Sequence, residues 1–298
     1  MAANKNAALL KSLSVTAETL SCNAAKNQFP VLLRQLAERR RVTSVEFRPL
    51  LVDAMLTTHP EGFRILFNSN GDDPTELQKR FQNESASQVM PSRLRFSFAH
   101  ELAHTLFYDL SDGTPKLAKQ FRSGGGRTKL ENLERSCNKL AGQMLLPTPM
   151  LKAALKRMEA INPNSLSEFA KQAGVSIEAL VRRLSGQSAL LEDPYFRGCI
   201  VLVKETKGEV FVTSIAKPPH LNIARGLHLM RPGEKWQLLA SDGTSLEPWH
   251  FSSTSHAKLT VETSQSSSQK DYKISHLEAG RSNSAVSHLL TFEEIENR

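Results

Sequence analysis

The stretch RLRFSFAHELAHTLFYD, residues Arg93–Asp109, is the most informative part of this sequence for the fold. It holds the pentapeptide His-Glu-Leu-Ala-His, which runs from His100 to His104. The apolar side chains of the stretch recur every four positions, at Leu94, Phe98, Leu102 and Leu106. This spacing predicts an amphipathic helix with one apolar stripe turned towards a core.

The two histidines lie on the face away from that stripe. A helix turns by about 100° per residue, so His100 and His104 are about 40° apart on the helix surface. Two imidazoles at this spacing can bind one metal ion, and Glu101 can reach a water molecule on that ion. The spacing therefore predicts a metal site with Glu101 as the catalytic base. The alternative is a chance match, in which two histidines merely stand four residues apart on a buried helix.

A catalytic zinc ion usually has three protein ligands and one position open to water. A second helix is predicted over residues 129–146, and it offers two carboxylates, Glu131 and Glu134. Glu134 shares a helix face with the small residue Ala141, which would let two helices approach closely, whereas Glu131 lies about 60° away. The pattern favours Glu134 as the third ligand and leaves Glu131 as the alternative.

Tyr108 lies about 80° from His100 if the first helix continues through it. Side chains on a helix lean back towards its N-terminus, so the phenol would reach the cleft beside His104. A phenol in that place could donate a hydrogen bond to an oxyanion, and Tyr108 is therefore predicted to be catalytic. The alternative is that its ring only packs at the end of the cleft.

Other features of the N-terminal half are predicted to be structural. Cys137 lies on an apolar part of the second helix with no histidine close in sequence, so it is interpreted as a thiol in the core. The charged run Glu38–Arg41 is interpreted as the solvated end of a helix over residues 24–38, with Pro30 as the alternative start of that helix. Two β-rich runs around a Pro-Gly turn predict a hairpin over residues 48–70.

Composition limits the class of protein. The chain has 298 residues, of which 40% are hydrophobic and 23% charged, which is enough for two or three globular domains. No apolar run is long enough to span a membrane, and Lys11 and Glu18 interrupt the N-terminal apolar residues, so no membrane segment or secretion signal is predicted. The 3 cysteines are far apart, which favours a cytoplasmic protein without disulfides. The net charge of +8 favours anionic partners, with DNA as one candidate.

Residues 165–184 have the pattern of a helix-turn-helix. Ser165 is predicted to cap the first helix, Gly174 to break it, and Ser176 to cap the second helix. The basic residues near the end of the second helix are Arg182 and Arg183. The motif could bind DNA through that helix, or it could be a module that packs on the rest of the chain or docks a protein partner.

Beyond residue 192 the sequence changes to short β-rich runs separated by turn residues. GCIVLVKET at residues 198–206 and GEVFVTSIA at residues 208–216 are two of these runs. We therefore predict an α+β protein of three parts. The parts are a metal-binding domain over residues 1–150, a helix-turn-helix segment over residues 151–192 and a β-rich domain over residues 193–298.

Two motifs together resemble the ImmA/IrrE family of metallopeptidases. RFSFAHELAHTLFYD resembles the metal-binding helix of that family, and ERSCNKLAGQMLLP resembles its downstream Glu-x-x-Cys-Asn motif. In the second motif Leu146 and Pro147 stand side by side, without the methionine that many members carry between them. The resemblance covers residues 45–150, and the helix-turn-helix resembles the segment that follows in longer members.

The resemblance implies a zincin-like endopeptidase. It implies that His100, His104 and Glu134 bind Zn²⁺ and that Glu101 is the base. Members of the family act on, or antagonise, helix-turn-helix repressors in stress responses and mobile-element control, so such a repressor is the expected substrate. Longer members can carry a GAF-like domain, which would make the C-terminal region sensor-like. The alternative function is a DNA-binding or protein-binding regulator with a non-catalytic peptidase-like domain.

Overall fold

The protein mixes helices and strands, which confirms the predicted α+β class. A computed structural model describes residues 2–118, 127–191, 198–206, 209–217, 228–230, 235–239, 249–250, 254–262, 267–282 and 285–294. The chain divides into two units, Met1–Leu151 with Lys171–Ser176, and Lys152–Ala170 with Ile177–Arg298. The predicted boundaries at residues 150 and 192 stay predictions, because packing units need not be independently folding domains.

Two helices open the first unit, α1 (Ala2–Ala25) and α2 (Leu33–Arg39). The helix predicted to start at residue 24 is wrong, because the chain leaves helical structure between α1 and α2, around Pro30. The alternative start at Pro30 lies close to the observed start of α2 at Leu33. Proline lacks a backbone N–H and disfavours helical geometry in the residue before it. The described buried residues of α1 are small, namely Ala17, Ser21 and Ala24. A buried face built from small residues carries little hydrophobic periodicity, so the sequence did not reveal α1.

A three-stranded sheet follows α2. It consists of β1 (Val42–Arg48), β2 (Ala54–His59) and β3 (Gly62–Asn68) in the order β1-β3-β2. β2 and β3 form the antiparallel hairpin that the sequence predicted, whereas β1, which was not predicted, pairs with β3 in parallel. Among the strands that the structure describes, β2 pairs with β3 alone and is therefore at the edge of the sheet.

Aromatic side chains join this sheet to two helices, α3 (Pro74–Gln82) and α4 (Ser92–Thr105). Phe98 of α4 stacks on Phe67 of β3, with ring centroids 5.6 Å apart, and its ring also lies 5.4 Å from that of Phe81 in α3. The predicted stripe of α4, of which Phe98 is a member, is buried along its whole length. This packing fixes α4 against the sheet through its apolar face, so the face that carries His100 and His104 does not take part in this contact.

The end of α4 differs from the prediction. The helix stops at Thr105, where the partly buried Arg40 donates from Nη2 to the Thr105 carbonyl (2.7 Å) and from Nε to its hydroxyl (3.0 Å). Tyr108 therefore lies beyond the helix, in a two-residue strand β4 (Tyr108–Asp109) that pairs with β5 (Lys116–Leu117). In the run predicted as a solvated helix end, Glu38, Arg39 and Arg41 are exposed, whereas Arg40 is partly buried.

The first unit closes with α5 (Arg127–Leu145), which agrees with the helix predicted over residues 129–146. α5 packs against both α1 and α4. Cys137, Ala141 and Met144 of α5 are completely buried. The close approach of α5 to α4 brings a second helix to the histidine face. The next helix is α6 (Thr148–Arg157).

The helix-turn-helix consists of α7 (Pro163–Ala173) and α8 (Ile177–Ser185). Asn162, not Ser165, caps α7. The side-chain oxygen of Asn162 accepts the backbone N–H groups of Asn164 and Ser165, each at 3.0 Å, and its own N–H donates to the Ser165 hydroxyl at 3.1 Å. The pair Asn162-Pro163 was the missed signal, since proline suits the first helical position.

Gly174 makes the turn with φ +66°, and a Cβ there would lie 2.8 Å from Nε of the buried Arg95. Gly174 and Arg95 both belong to the first unit, where this charged side chain fills the space beside the turn.

The strands of the second unit form two sheets. The larger has the order β11-β12-β13-β6-β7 and contains β6 (Gly198–Thr206), β7 (Glu209–Ala216), β11 (Thr254–Glu262), β12 (Ser267–Ser282) and β13 (Ala285–Glu294). The smaller has the order β10-β9-β8 and contains β8 (His228–Met230), β9 (Lys235–Leu239) and β10 (Trp249–His250). α8 packs on β6 and β7. Among the described residues, no helix is both long enough and apolar enough to cross a membrane.

Candidate metal centre

Two helices bring three nitrogen and oxygen donors to one point. Nε2 of His100 and Nε2 of His104, both on α4, are 3.1 Å apart. Glu134 of α5 places Oε2 3.0 Å from the His100 nitrogen and Oε1 3.5 Å from the His104 nitrogen. The three side chains that the sequence predicted as metal ligands therefore lie together, although their separation along the chain is more than thirty residues for Glu134.

This donor set fits a divalent metal ion. Four ligands around zinc at about 2.0–2.1 Å would stand roughly 3.3 Å from one another in a tetrahedron, close to the separations seen here. Two imidazole nitrogens 3.1 Å apart can share a hydrogen bond when one of them carries a proton, and they can both coordinate one ion when neither does. The roles of His100, His104 and Glu134 as ligands stay predictions, but the arrangement suits a cation.

Two carboxylates compete for the third ligand position. One oxygen of Glu101 lies within 4.8 Å of the ligand nitrogens of His100 and His104, so Glu101 faces the same point. Glu134 is nearer, and the backbone N–H of Leu56 in β2 lowers the pKa of Glu101. Distance therefore favours Glu134 as the ligand and leaves Glu101 beside the site, where a base would stand.

Burial shifts the protonation equilibria of the site. Burial and, more weakly, the Glu134 carboxylate raise the pKa of Glu101, while His100 and the Leu56 N–H act in the opposite direction. Burial also lowers the pKa of His104, and the neighbouring His100 adds to that effect, whereas Glu134 opposes it. A lowered pKa favours neutral imidazole, the form that binds metals.

Each imidazole has an outer contact that the sequence did not reveal. Oδ1 of Asn138 lies 2.9 Å from Nδ1 of His100. Because an amide oxygen only accepts, it assigns the proton to Nδ1 and leaves the lone pair on Nε2. Sγ of Cys137 lies 3.4 Å from Nδ1 of His104 and can act in the same way. Such outer contacts orient metal-binding histidines.

Cys137 and Asn138 could have been found from helical spacing. They follow Glu134 by three and four residues on α5, so they lie on the face of that helix that meets α4. The prediction that Cys137 is buried is confirmed, but the absence of a histidine near it in sequence was misleading. Burial, aided by Glu134 and Glu101, raises the pKa of Cys137, so the group is a neutral thiol at physiological pH.

The remaining predicted residues are not part of this cluster. The ring of Tyr108 packs edge-on against Phe63 of β3, with centroids 5.3 Å apart. Its predicted catalytic role was based on a helix that has already ended at Thr105, and the role stays a prediction. The side chain of Glu131, the alternative ligand, lies outside the described residues.

Comparisons with known proteins show similarity over part of this chain. Residues 85–185 match the family model of the IrrE N-terminal-like domain. The matched segment contains α4 and α5 and ends at the last residue of α8. It therefore includes both the candidate metal centre and the helix-turn-helix.

Two curated relatives are similar over part of their length. The radiation response metalloprotease IrrE of Deinococcus deserti is 29% identical over 123 residues, which are 41% of this chain and 42% of that protein. The protein of the same name from Deinococcus radiodurans is 30% identical over 103 residues, which are 34% of this chain and 30% of that protein. The chain thus matches less than half the length of either relative.

A solved structure of a Mycobacterium tuberculosis transcriptional regulator is similar over 95% of this chain and 88% of that one, at a TM-score of 0.46 and 14% identity. A likeness this distant carries no argument about function. The family model, by contrast, covers the segment that holds the His-Glu-x-x-His helix. The family model over residues 85–185 and the two relatives support an assignment to the ImmA/IrrE family.

Proposed function

We propose that this chain is a zinc-dependent endopeptidase that cleaves a helix-turn-helix repressor in the cytoplasm, in stress response or mobile-element regulation. The observation that carries the proposal is the convergence of His100, His104 and Glu134, with Glu101 beside them. Nitrogen and carboxylate donors in this combination suit a catalytic zinc ion. The 3 cysteines are unpaired, which fits a reducing compartment.

The chemistry of the site follows from its residues. A zinc ion held by two imidazoles and a carboxylate supplies an activated water and polarises the carbonyl of a peptide bond. Glu101 is the group that moves the proton. Its carboxylate takes a proton from the attacking water, whose hydroxyl adds to the carbonyl carbon, and it returns the proton to the amine nitrogen as the carbon–nitrogen bond breaks.

The two histidines and Asn138 have complementary tasks. The Asn138 oxygen holds the Nδ1 proton of His100, so Nε2 keeps the lone pair that a metal requires. The lowered pKa of His104 keeps its imidazole neutral near pH 7. The helix that carries both histidines is anchored to the sheet through Phe98, which limits their movement.

The identity of the substrate is a proposal that rests on the family likeness. The two relatives are named as metalloproteases of the radiation response, and the ImmA/IrrE likeness points to a helix-turn-helix repressor. A regulator that had lost catalysis would keep the fold without needing Glu101. A substitution at Glu101 therefore distinguishes an enzyme, which would lose its activity, from a binding protein, which would keep its function.

The test uses the full chain with zinc and the helix-turn-helix repressors encoded next to its gene. The parent protein should cut one of them at a single site, and metal-free protein should not. Glu101→Gln should bind zinc like the parent and cleave roughly a hundredfold more slowly or less. Glu61→Gln, at an exposed position in the turn between β2 and β3, is the matched control and should cleave normally. If Glu101→Gln cleaves like the parent, the enzymatic proposal is wrong.

A further inference from the structure

The candidate metal centre is open to solvent on the side of α5. The side chain of Glu134 is 44% exposed, whereas those of His100 and His104 are 17% and 19% exposed. Asn138, whose amide oxygen contacts His100, is also exposed. A partner chain that reaches the centre from this side lies on the neighbouring surface of α5.

Two cations stand on that neighbouring surface. With Glu134 as the origin, Arg135 lies about 100° and Lys139 about 140° round the axis of α5. Both side chains are exposed, and because they are four residues apart their Cβ atoms are about 5–6 Å from each other. We call these two residues the basic ridge. It begins about 60° beyond Asn138, so it borders the open side of the centre.

The charges of the basic ridge are available to a partner. On other helices the exposed arginines Arg34, Arg80 and Arg182 each pair with a glutamate four residues away. Arg135 and Lys139 form no such pair with any residue that the structure describes. Like charges four residues apart on a helix also repel each other, and an anion bound between them would relieve that repulsion.

A glycine that the fold does not require lies beside the basic ridge. Gly142 is in the last turn of α5, three residues after Lys139 and on the same side of the helix. Glycine destabilises a helix relative to alanine. Its φ is not positive here, and a Cβ would have no neighbour within 4 Å among the described residues. A partner backbone that lies close to α5 would, by contrast, favour glycine at this position.

We propose that the basic ridge binds an acidic segment of the protein substrate, and that Gly142 lets the backbone of that segment lie close to α5. The inference rests on the proposed function and adds a charge preference to it. Carboxylates that meet Arg135 and Lys139 bring the adjoining residues of the substrate towards Glu134 and the metal centre. The enzyme therefore favours peptide bonds that have aspartate or glutamate a few residues away.

Nucleic acid is the competing occupant of the basic ridge. The affinity of a protein for DNA rises with the number of phosphates that it neutralises, and two cations neutralise few. From residue 132 to the end of α5, the sequence holds no cation besides Arg135 and Lys139. A peptide substrate is held by the metal centre as well, so two charges are enough to select among peptides.

The test measures the charge preference without cleavage. The full chain carrying Glu101→Gln is loaded with zinc and titrated into two fluorescein-labelled peptides, one with glutamates and one with glutamines in their place. The glutamate peptide should bind roughly fivefold more tightly at low salt, the effect of two exposed ion pairs, and added salt should reduce this advantage. Arg135→Gln with Lys139→Gln, the ridge variant, should abolish it. Lys11→Gln with Lys79→Gln, at exposed positions of α1 and α3, removes the same charge and should keep it.

Gly142→Gln distinguishes a role in binding from a role in the fold. Glutamine is a better helix former than glycine, so the variant should unfold at the same urea concentration as the parent or at a higher one. Its side chain would fill the space beside the basic ridge, so both peptides should bind more weakly. Parent-like binding of both peptides would contradict the close approach of a substrate to α5.

The outcomes separate the two proposals. If the parent cleaves a repressor but the ridge variant keeps the glutamate preference, the basic ridge has no role and the enzymatic function stands. If neither peptide binds, the ridge proposal is also wrong, whatever the cleavage assay shows. If the parent shifts mixed-sequence duplex DNA in a gel and the ridge variant does not, the ridge binds nucleic acid and the inference is overturned. If Glu101→Gln cleaves normally, the proposed function has failed independently of the ridge.

Discussion

Helices α4 and α8 are both short and amphipathic, and each carries two polar residues that looked functional in the sequence. On α4, His100 and His104 are half-buried and converge with a carboxylate from another helix. On α8, Arg182 is exposed and ion-paired with Glu178 of its own helix, whereas Arg183 is buried. On α4 the two polar residues thus meet at one site, whereas on α8 one is exposed and the other is buried.

Spacing explains the difference. Residues four apart share a helix face, so His100 and His104 both face the same cleft. Adjacent residues are about 100° apart, so Arg182 and Arg183 cannot both face a ligand while the helix packs on a sheet. For α8 the apolar neighbours Leu180 and Leu184 decide which side is buried. A pair of polar residues on a helix indicates a site only when both residues lie on the face that does not pack against the core.

The largest effect is expected at the buried charge on α4. Arg95 is completely buried, and its guanidinium binds the Glu84 carboxylate and, at 2.6 Å, the carbonyl of Val31. Arg95→Met would leave Glu84 buried without its partner and should lower the free energy of unfolding by about 3–5 kcal/mol. Arg93→Met, which breaks an exposed ion pair on the same helix, should cost about 0–1 kcal/mol. Urea unfolding measures both, and equal losses would contradict this account of α4.

A smaller effect is expected at the outer contact of His100. Asn138→Ala removes the acceptor of the Nδ1 proton and should weaken zinc binding by about 10–100-fold. Asn132→Ala, at an exposed position of α5, should leave zinc binding unchanged. Competition with a chromophoric chelator gives both values. Parent-like affinity in Asn138→Ala would mean that the imidazole is oriented by packing alone.

Tyr108→Phe should change turnover by less than about twofold, since the ring is engaged by Phe63 and α4 ends before it. The variant keeps the ring and removes only the hydroxyl, so steady-state cleavage with zinc content measured alongside isolates the phenol. A loss of roughly tenfold or more would show that the hydroxyl donates to the transition state after all, as the sequence suggested.

The smallest effect is expected on α8. Arg182→Gln should leave DNA affinity unchanged, because the exposed face of that helix offers a basic residue already paired with Glu178, and Arg183 is buried. A salt series of gel shifts with mixed-sequence duplex DNA provides the measurement. Tight binding that weakens steeply with salt and with this substitution would make the helix-turn-helix a DNA-binding module.

The sequence predicted those parts of the structure in which one strong periodic pattern decides the outcome. The buried stripe of α4, the β2–β3 hairpin and the helix of Glu134 follow from local spacing and turn residues. β1 could not be foreseen, because its parallel partner is distant in the chain and parallel pairing has no turn signal. Tyr108 was misplaced because the contact that ends α4 comes from Arg40, more than sixty residues earlier.

The candidate site also has a part that the sequence predicts and a part that it does not predict. The face of His100 and His104 is a property of one helix and could be predicted. Their contacts with Asn138 and Cys137 depend on how closely α5 approaches, which the small residue Ala141 suggests but does not determine.

Metal binding by Glu134→Ala tests the central claim most directly. The parent chain should bind about one zinc ion, through two imidazoles and one carboxylate. Glu134→Ala should weaken zinc binding by roughly a hundredfold or more, beyond the loss expected for an outer contact. Glu131→Ala, the alternative ligand on the same helix, should bind zinc like the parent. If Glu131→Ala loses the metal while Glu134→Ala keeps it, the centre described here is wrong.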